Sequence, residues 1–364
     1  MSELQLINFT RGVPANESFP TRELIDAAAA VLGERGAAIL QYGTSRGFAP
    51  LAEWIAQWQR VRPEQILLAN GSLQLIEFLC RAMIEPGDLV LTESPSYDRA
   101  LTLLRRHQAT VVGIPLEMDG PDVGALEAAI KRRVPKLFYT IPDFQNPTGA
   151  TCSGEKRRRI AQLAMEYNFL VLEDAPYRHL RYRGQEEPTL AELAPRQTLH
   201  MSSFTKLIAP GVRVGFMIGA PERLDKVAKV AEDTYISPGS LAHGITYEWC
   251  RQGLLPPQIQ RLKALYAPRL DACLAAIDQY MPDAEATRPD GGFFLSVTLP
   301  AGATTTAVRD AAAKRNLNLS DGRAFFPDGG GERFLRLPFC ALTPEEIREG
   351  IQRLASSVAE VRGR

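Results

Sequence analysis

The segment of residues 201–215, MSSFTKLIAPGVRVG, decides how the rest of the chain is interpreted. In it Lys206 follows two hydroxyl residues, and Arg213 comes seven positions later, beyond a turn favoured by Pro210-Gly211. A deprotonated lysine amine forms an imine with an aldehyde, whereas arginine N–H groups and short hydroxyls such as that of Ser203 bind a phosphate. The segment therefore predicts a cofactor that carries both groups, although a lysine beside hydroxyl residues is also common on a solvated surface.

Size and composition narrow the possible classes of protein. The chain has 364 residues, of which 45% are hydrophobic, enough for a large core and more than one lobe. Its 42 basic residues balance 42 acidic ones, so no net charge favours nucleic acid or an anionic membrane. The five cysteines lack metal-ligand spacing, and the hydropathy pattern contains neither a signal peptide nor a membrane span. We therefore expect a cytoplasmic protein without a metal, a nucleic-acid partner or a membrane anchor.

Alternating apolar and amphipathic segments predict an α/β fold with a mostly parallel, doubly wound sheet of seven strands. The predicted strands are residues 66–70, 88–92, 110–115, 136–141, 169–172, 199–201 and 215–219. After residue 288 the pattern changes to that of a smaller α+β unit. We expect residues 1–40 to form an arm and a helix that belong to the small domain, residues 41–250 the large domain, and residues 251–364 the C-terminal small domain.

Polar residues follow the carboxyl ends of these strands, the edge at which open α/β sheets bind ligands. They are Ser72, Tyr97, Asn146, Asp174, Tyr177, Ser203, Thr205, Lys206 and Arg213. Together they match the needs of pyridoxal phosphate. An acid at Asp174 can keep the pyridine nitrogen protonated, which makes the ring an electron sink. Tyr177 and Asn146 can bind the ring oxygen, and Tyr97 can stack on the ring. Ser72 begins a helix whose free N–H groups suit the phosphate.

The order of eight short motifs resembles the fold-type I, class I/II aminotransferases, which depend on pyridoxal phosphate. The likeness is closest to the branch of 2-aminoadipate and kynurenine aminotransferases, which is related to the effector domains of MocR-type regulators. The motifs are Gly12-Val13-Pro14, Tyr42-Gly43, Gly71-Ser72-Leu73-Gln74, Glu93-Ser94-Pro95-Ser96-Tyr97, Pro142-Asp143-Phe144-Gln145-Asn146-Pro147-Thr148-Gly149, Asp174-Ala175-Pro176-Tyr177, Ser203-Phe204-Thr205-Lys206 and Arg336-Leu337-Pro338-Phe339.

This resemblance implies roles that the spacing of residues does not show. Arg336 is expected to bind the α-carboxylate of the substrate, next to Gly12 and Asn146. Leu73 is expected beside the cofactor, and Tyr42 is expected to reach the cofactor phosphate of a neighbouring subunit. A homodimer with its active site at the subunit interface follows from the resemblance.

Three residues depart from the family pattern. Thr205 replaces a serine that is frequent before the lysine, and Leu73 replaces a frequent glutamine. Backbone N–H groups can still bind the phosphate at both positions. Pro338 replaces a frequent asparagine after the carboxylate-binding arginine, and because proline lacks an N–H it changes the substrate rim.

The predicted function is transfer of the amino group of an L-amino acid to a 2-oxo acid, most simply 2-oxoglutarate, by a ping-pong mechanism. Lys206 is expected to hold the cofactor as a Schiff base and then to move a proton as general base and acid, with Asp174 and Tyr177 as the other catalytic residues. Arg11 and Arg46 are candidates for binding a distal carboxylate. The candidates for an apolar side-chain pocket are Phe9, Phe19, Phe144, Tyr235 and Phe325.

Two alternatives stay open at this point. The same fold supports lyases and cyclases that act on amino acids, because a fold does not determine the reaction type. A MocR-like effector domain would bind the cofactor without turnover, but it needs a DNA-binding helix-turn-helix, normally ahead of it, and here the aminotransferase pattern starts within ten residues of Met1.

Overall fold

The computed structural model of the protein describes residues 5–363, which form one large mixed sheet and a smaller antiparallel sheet with helices packed on both. The strands are β1 Ile7–Phe9, β2 Ile66–Ala69, β3 Leu89–Ser94, β4 Thr110–Glu117, β5 Gly120–Pro121, β6 Leu137–Thr140, β7 Leu170–Asp174, β8 Thr198–Ser203, β9 Gly215–Ile218, β10 Glu285–Ala286, β11 Phe294–Thr298, β12 Leu317–Leu319 and β13 Phe334–Pro338. The helices are α1 Thr21–Leu40, α2 Ala49–Gln59, α3 Ser72–Met83, α4 Asp98–Arg106, α5 Val123–Arg132, α6 Gly154–Tyr167, α7 Leu190–Leu193, α8 Pro221–Tyr235, α9 Ser240–Arg251, α10 Leu255–Tyr280, α11 Thr305–Ala313 and α12 Pro344–Arg362.

The large sheet has the strand order β2-β9-β8-β7-β6-β3-β4-β5. Neighbouring strands from β8 to β4 are parallel, whereas β9 is antiparallel to both of its neighbours. The prediction of a mostly parallel α/β sheet is confirmed, and all seven predicted strands are present. The additional strand β5 pairs with β4 at the edge of the sheet. It is only two residues long, so it has no hydropathy pattern by which the sequence could reveal it.

Strand β6 shows why helices cover both faces of this sheet. Its Leu137 and Tyr139 pack in a cluster with helices α3 and α8, whereas Phe138 between them packs with α5 and α6. Successive side chains of a strand point to opposite faces. A strand that is buried on both faces therefore carries apolar side chains on both, as Leu137, Phe138 and Tyr139 do here.

The second sheet consists of β10, β11 and β13, all antiparallel, and β1 pairs with β12 beside it. Ile7 and Phe9 of β1 pack into the same apolar cluster as α10 and α12. Helix α1 packs elsewhere, against α9, where Gly244 lies close to Val31 and Ile39. The domain boundaries at residues 40 and 250 stay a prediction.

The carboxyl ends of β2, β3, β6, β7 and β8 lie at one edge of the large sheet, because β2 and β8 are both antiparallel to β9. The loops that leave this edge carry most of the polar motifs noted in the sequence. No helix among the described residues is long and apolar enough to cross a membrane.

Candidate active site

A cavity of about 620 Å³ lies at this edge and is closed on its other side by β11, β13 and the segment after β1. Most of the predicted site residues line it. They are Arg11, Gly12, Ser72, Leu73, Tyr97, Asn146, Asp174, Tyr177, Ser203, Thr205, Lys206, Arg213, Phe325 and Arg336. Residues from both ends of the sequence are thus brought to one concave site, the usual location of a ligand.

The amine of Lys206 lies in the turn that follows β8. Its Nζ donates a hydrogen bond to the carbonyl oxygen of Gly12 at 3.1 Å and lies 5.8 Å from the ring centre of Tyr177. Burial lowers the pKa of this amine to about 8, and the guanidinium groups of Arg336 and Arg213 act in the same direction. A larger fraction of the amine is therefore neutral near pH 7 than for an ordinary lysine, which makes it a better nucleophile and base.

The carboxylate of Asp174 ends strand β7 and is only 4% exposed. Its Oδ2 accepts a hydrogen bond from the hydroxyl of Tyr139 at 2.8 Å, while its buried Oδ1 has no partner within residues 5–363. Burial raises the pKa of Asp174 to about 7, against the opposing effects of the Tyr139 hydroxyl and of His200. A buried acceptor without a donor is costly, and a protonated ring nitrogen in the cavity would supply that donor.

A backbone cradle forms another part of the cavity lining, where β2 leads into α3. Gly71 has φ +94°, and a Cβ on it would lie 2.4 Å from Nη2 of Arg213. Gly215 of β9 lies against the same turn, since a Cβ there would be 2.4 Å from the nitrogen of Ser72. No side chain caps the start of α3. Its first N–H groups are therefore available to an anion, which the helix dipole also attracts.

Arginine and hydroxyl side chains complete this cradle. Nη2 of Arg213 donates to the carbonyl oxygen of Asn70 at 3.0 Å. The hydroxyls of Ser203 and Thr205 are 2.8 Å apart, and Ser203 also accepts from the backbone nitrogen of Thr205 at 3.1 Å. The cation, the hydroxyls and the helix start form a set of donors suited to a phosphate.

The guanidinium of Arg336 on β13 is held from several sides. Nη1 donates to Oδ1 of Asn146 at 3.0 Å and Nη2 donates to the carbonyl oxygen of Thr10 at 2.8 Å. The Cζ atom lies 4.9 Å from the ring centre of Phe294 and 4.7 Å from that of Phe325. Its buried Nε has no hydrogen-bond partner in the described part of the chain. The side chain is fixed in place while part of its donor capacity is unused, as a carboxylate-binding arginine requires.

Two tyrosines of the cavity carry protonated hydroxyls. Burial raises the pKa of Tyr97 to about 12 and holds that of Tyr177 well above its ordinary value. Both side chains therefore act as hydrogen-bond donors or flat apolar surfaces at neutral pH, and neither is a base.

Several sequence-based candidates lie outside the cavity. Tyr42 is 75% exposed on the surface. The assignment of Arg46 to a distal carboxylate is wrong, because its guanidinium binds Asp225 at 2.6 Å and the carbonyl oxygens of Glu64 and Ile66. Of the five aromatic pocket candidates, only Phe325 lines the cavity. The other four pack in apolar clusters or against neighbouring rings, and they are Phe9, Phe19, Phe144 and Tyr235.

Sequence reasoning missed several lining residues, among them Thr10, Asp98, Arg99, Phe294, Ser320 and Asp321. It also missed Tyr139, which does not line the cavity but donates a hydrogen bond to Asp174. Tyr139 was detectable in principle, because on adjacent parallel strands it lies on the same sheet face as Asp174. No group of three or more His, Cys, Asp or Glu residues that could hold a metal occurs among residues 5–363.

The unpartnered Asp174 oxygen and the donor cradle fit the ring nitrogen and the phosphate of pyridoxal phosphate, and Lys206 lines the same cavity. The family model for aminotransferase class I and II matches residues 5–354. The chain belongs to this family.

This aminotransferase resembles characterised proteins over nearly its whole length. It is 35% identical to a 2-aminoadipate transaminase of Thermus thermophilus over 97% of this chain and 90% of the relative. It is 33% identical to aromatic-amino-acid aminotransferase 1 of Thermococcus litoralis, over 98% and 88% of the two chains.

A solved structure extends the likeness to the fold. The α-aminoadipate aminotransferase of Thermus thermophilus, complexed with N-(5'-phosphopyridoxyl)-L-leucine, superposes with a TM-score of 0.95 at 34% identity, covering 98% of this aminotransferase and 93% of that chain. The predicted fold type, family and cofactor are confirmed. The protein is a fold-type I aminotransferase that uses pyridoxal phosphate.

Proposed function

We propose that this aminotransferase moves the amino group of an L-amino acid with a second, side-chain carboxylate to 2-oxoglutarate by a ping-pong mechanism. The observation that carries the proposal is that the Lys206 amine, the free Asp174 oxygen, the Arg336 guanidinium and the side chain of Arg11 line one cavity. Amino transfer itself follows from the family, whereas the donor, the acceptor and the roles of the residues are inferred.

The cofactor is held at both ends. When bound, pyridoxal phosphate supplies an aldehyde for covalent attachment and a protonated ring that withdraws electrons from the substrate Cα. Oδ1 of Asp174 would accept the hydrogen bond of the ring nitrogen, and the Tyr139 hydroxyl orients that carboxyl group and favours its ionised form. Arg213, the hydroxyls beside it and the start of α3 would bind the phosphate.

Lys206 moves the proton. With the cofactor bound, the lowered pKa of its Nζ would suit a base that must also act as an acid near neutral pH. Nζ would take the proton from the substrate Cα and, as the conjugate acid, would give a proton back. Tyr177 contributes its hydroxyl as a hydrogen-bond donor, since its raised pKa keeps it protonated.

Arg336 binds the α-carboxylate that every amino acid and 2-oxo acid substrate carries. Its unused Nε donor and its fixed position beside Asn146 support a bidentate contact. The Gly12 segment covers the same side of the cavity, and a Cβ on Gly12 would lie 2.2 Å from the Phe294 ring, so no larger residue fits there.

Arg11 binds the distal carboxylate. It is exposed at the cavity, and its guanidinium makes no hydrogen bond or ion pair with any residue between 5 and 363. Arg99 on the same rim has Asp98 within 3.9 Å, and Asp321 is paired with Arg323. A ping-pong mechanism uses one cavity for both substrates, so a single arginine serves a dicarboxylic donor and 2-oxoglutarate alike. The 2-aminoadipate transaminase relative is consistent with such a donor.

A cytoplasmic homodimer completes the proposal. Tyr42 is highly exposed in one chain, as are Leu32, Leu40 and Ile236. A second copy that covers this surface would place Tyr42 at the partner's cofactor phosphate. All five cysteines are buried and free, which suits a reducing compartment.

Incubation of the purified protein with pyridoxal phosphate, 2-oxoglutarate and single ¹⁵N-labelled amino acids tests the proposal. Mass spectrometry is expected to detect labelled glutamate together with the 2-oxo acid of each dicarboxylic donor. Release of free ammonia without an acceptor would instead indicate elimination. Efficient transfer from neutral donors alone would refute the role of Arg11.

A further inference from the structure

Two buried polar side chains, Glu93 and Gln145, lie behind the cavity without lining it. Each is 1% exposed. The Glu93 carboxylate accepts hydrogen bonds from the hydroxyl of Thr140 at 2.5 Å, from the backbone nitrogen of Ile141 at 3.2 Å and from Nε2 of Gln145 at 3.0 Å. All three donors belong to β6 or to the loop after it. Glu93 lies at the end of β3, so it ties the end of one strand to the loop of its neighbour.

Gln145 extends this tie to a second loop. Its Nε2 also donates to the carbonyl oxygen of Pro95 at 2.8 Å. Its Oε1 accepts from the nitrogen of Thr148 at 3.0 Å and from the Thr148 hydroxyl at 2.9 Å. Every polar atom of the side chain is thus used, and together Glu93 and Gln145 join the loop after β3 to the loop after β6.

Both of these loops lead to Arg336. Asn146, next to Gln145, accepts the hydrogen bond from Nη1 of Arg336. Ser96, next to Pro95, donates its backbone N–H to the carbonyl oxygen of Phe325 at 2.8 Å, and the Phe325 ring lies against the Arg336 guanidinium. A shift of either loop would therefore move a group that holds Arg336.

We propose that Glu93 and Gln145 are positioning residues for the substrate α-carboxylate, because they hold the two loops that fix Arg336. The inference rests on the proposed carboxylate-binding role of Arg336. Glu93 acts through the positions of its two oxygens, which accept these hydrogen bonds. A glutamine at this position can place its oxygen where Oε2 receives Ile141 and Gln145 and can turn its amide toward the Thr140 hydroxyl. A leucine of similar size can accept none of these bonds.

The test compares Glu93→Gln, Glu93→Leu and Gln145→Leu with the wild-type holoenzyme. Both leucine variants are expected to raise the KM of the amino donor about tenfold, while kcat falls less than about threefold. The reason is that losing the hydrogen bonds that hold the two loops around the Arg336 guanidinium weakens substrate binding by about this factor. The dissociation constant of glutarate, a dicarboxylate that undergoes no turnover, is expected to rise to a similar extent in isothermal titration calorimetry. Glu93→Gln is expected to stay within about twofold of wild type.

Glu248→Leu is the matched control, because Glu248 is also a buried carboxylate, at 3% exposure, and neither it nor its donors Arg251 and Gln252 line the cavity. It is expected to lower the melting temperature without changing the KM or the glutarate affinity. If Glu93→Leu does not fold, Gln145→Leu decides, since it leaves the Glu93 carboxylate bound to Thr140 and Ile141.

The inference is overturned if the leucine variants change glutarate affinity no more than Glu248→Leu does, or if Glu93→Gln behaves like Glu93→Leu. Glutarate binding does not require turnover. Failure of the wild type to transfer amino groups would therefore count against the proposed function alone, while unchanged glutarate binding in the variants would count against the positioning role alone.

Discussion

The hydroxyl of Tyr139 donates a hydrogen bond to Oδ2 of Asp174 at 2.8 Å, and Oδ1 of the same carboxylate has no partner in the described chain. One oxygen is thus fixed and the other is free. The hydrogen bond lowers the pKa of Asp174, which burial raises to about 7. Tyr139 therefore has two effects on the cofactor site, since it orients the carboxylate and favours its charged form.

Tyr139→Phe tests this relationship. Loss of the hydroxyl is expected to weaken pyridoxal phosphate binding about tenfold, because a hydrogen bond to a charged group is worth roughly 1.5–3 kcal/mol. Absorbance titration of the apoprotein measures the affinity. Tyr182→Phe, which removes a hydroxyl bound to the Gly292 carbonyl oxygen outside the cavity, is the control. Equal affinities for the two variants would argue against the role of Tyr139.

The pH dependence of cofactor loading tests the environment of Lys206. The neutral amine is the form that attacks the aldehyde, and burial lowers its pKa to about 8. The loading rate is therefore expected to rise with pH and to level off above about pH 8.5, whereas an unperturbed lysine would give a rate that still increases through about pH 10. Burial raises the pKa of Asp174 to about 7, so its ionisation is expected to contribute to the rise only at lower pH. Stopped-flow absorbance of the apoprotein mixed with pyridoxal phosphate measures the rate.

Tyr42→Phe tests the subunit arrangement. Although Tyr42 is 75% exposed in one chain, loss of its hydroxyl is expected to lower cofactor affinity about fivefold if it binds the partner's phosphate. Tyr167→Phe on α6 is the control, and dilution in analytical ultracentrifugation reports whether affinity follows dimer content. Unchanged affinity in a stable dimer would exclude the contact.

Arg11→Gln tests the choice of substrate. Loss of the charge is expected to lower kcat/KM for dicarboxylic donors about tenfold and to leave neutral donors nearly unchanged, because a charge-assisted hydrogen bond contributes about 1.5–3 kcal/mol. Arg99→Gln on the same rim is the comparison, since Asp98 already lies beside that arginine. An equal loss for both classes of donor would indicate a structural role for Arg11.

The sequence was informative wherever local chemistry and periodicity decide the structure. Short apolar segments between amphipathic ones located the seven main strands, and polar residues at their carboxyl ends identified much of the cavity lining, including Lys206 and Asp174. These features depend on residues close together in sequence, and parallel strands necessarily bring their carboxyl ends to one edge.

Features that depend on long-range packing were not predictable in the same way. Arg46 looked like a substrate-binding cation, but its partner Asp225 lies 179 positions away. Phe294 and Phe325 flank Arg336 only because β11, β13 and the segment near residue 325 fold together. The two-residue strand β5 was missed because a pair of residues carries no periodic signal.

The most direct test of the account is the amount of labelled glutamate formed from a ¹⁵N-labelled dicarboxylic donor and 2-oxoglutarate by wild-type protein and by Lys206→Ala. The wild type is expected to transfer the label. The variant is expected to lose at least about 10³-fold of the rate, because both covalent attachment of the cofactor and proton movement use the same amine. Near wild-type transfer by Lys206→Ala would contradict the central role of this lysine.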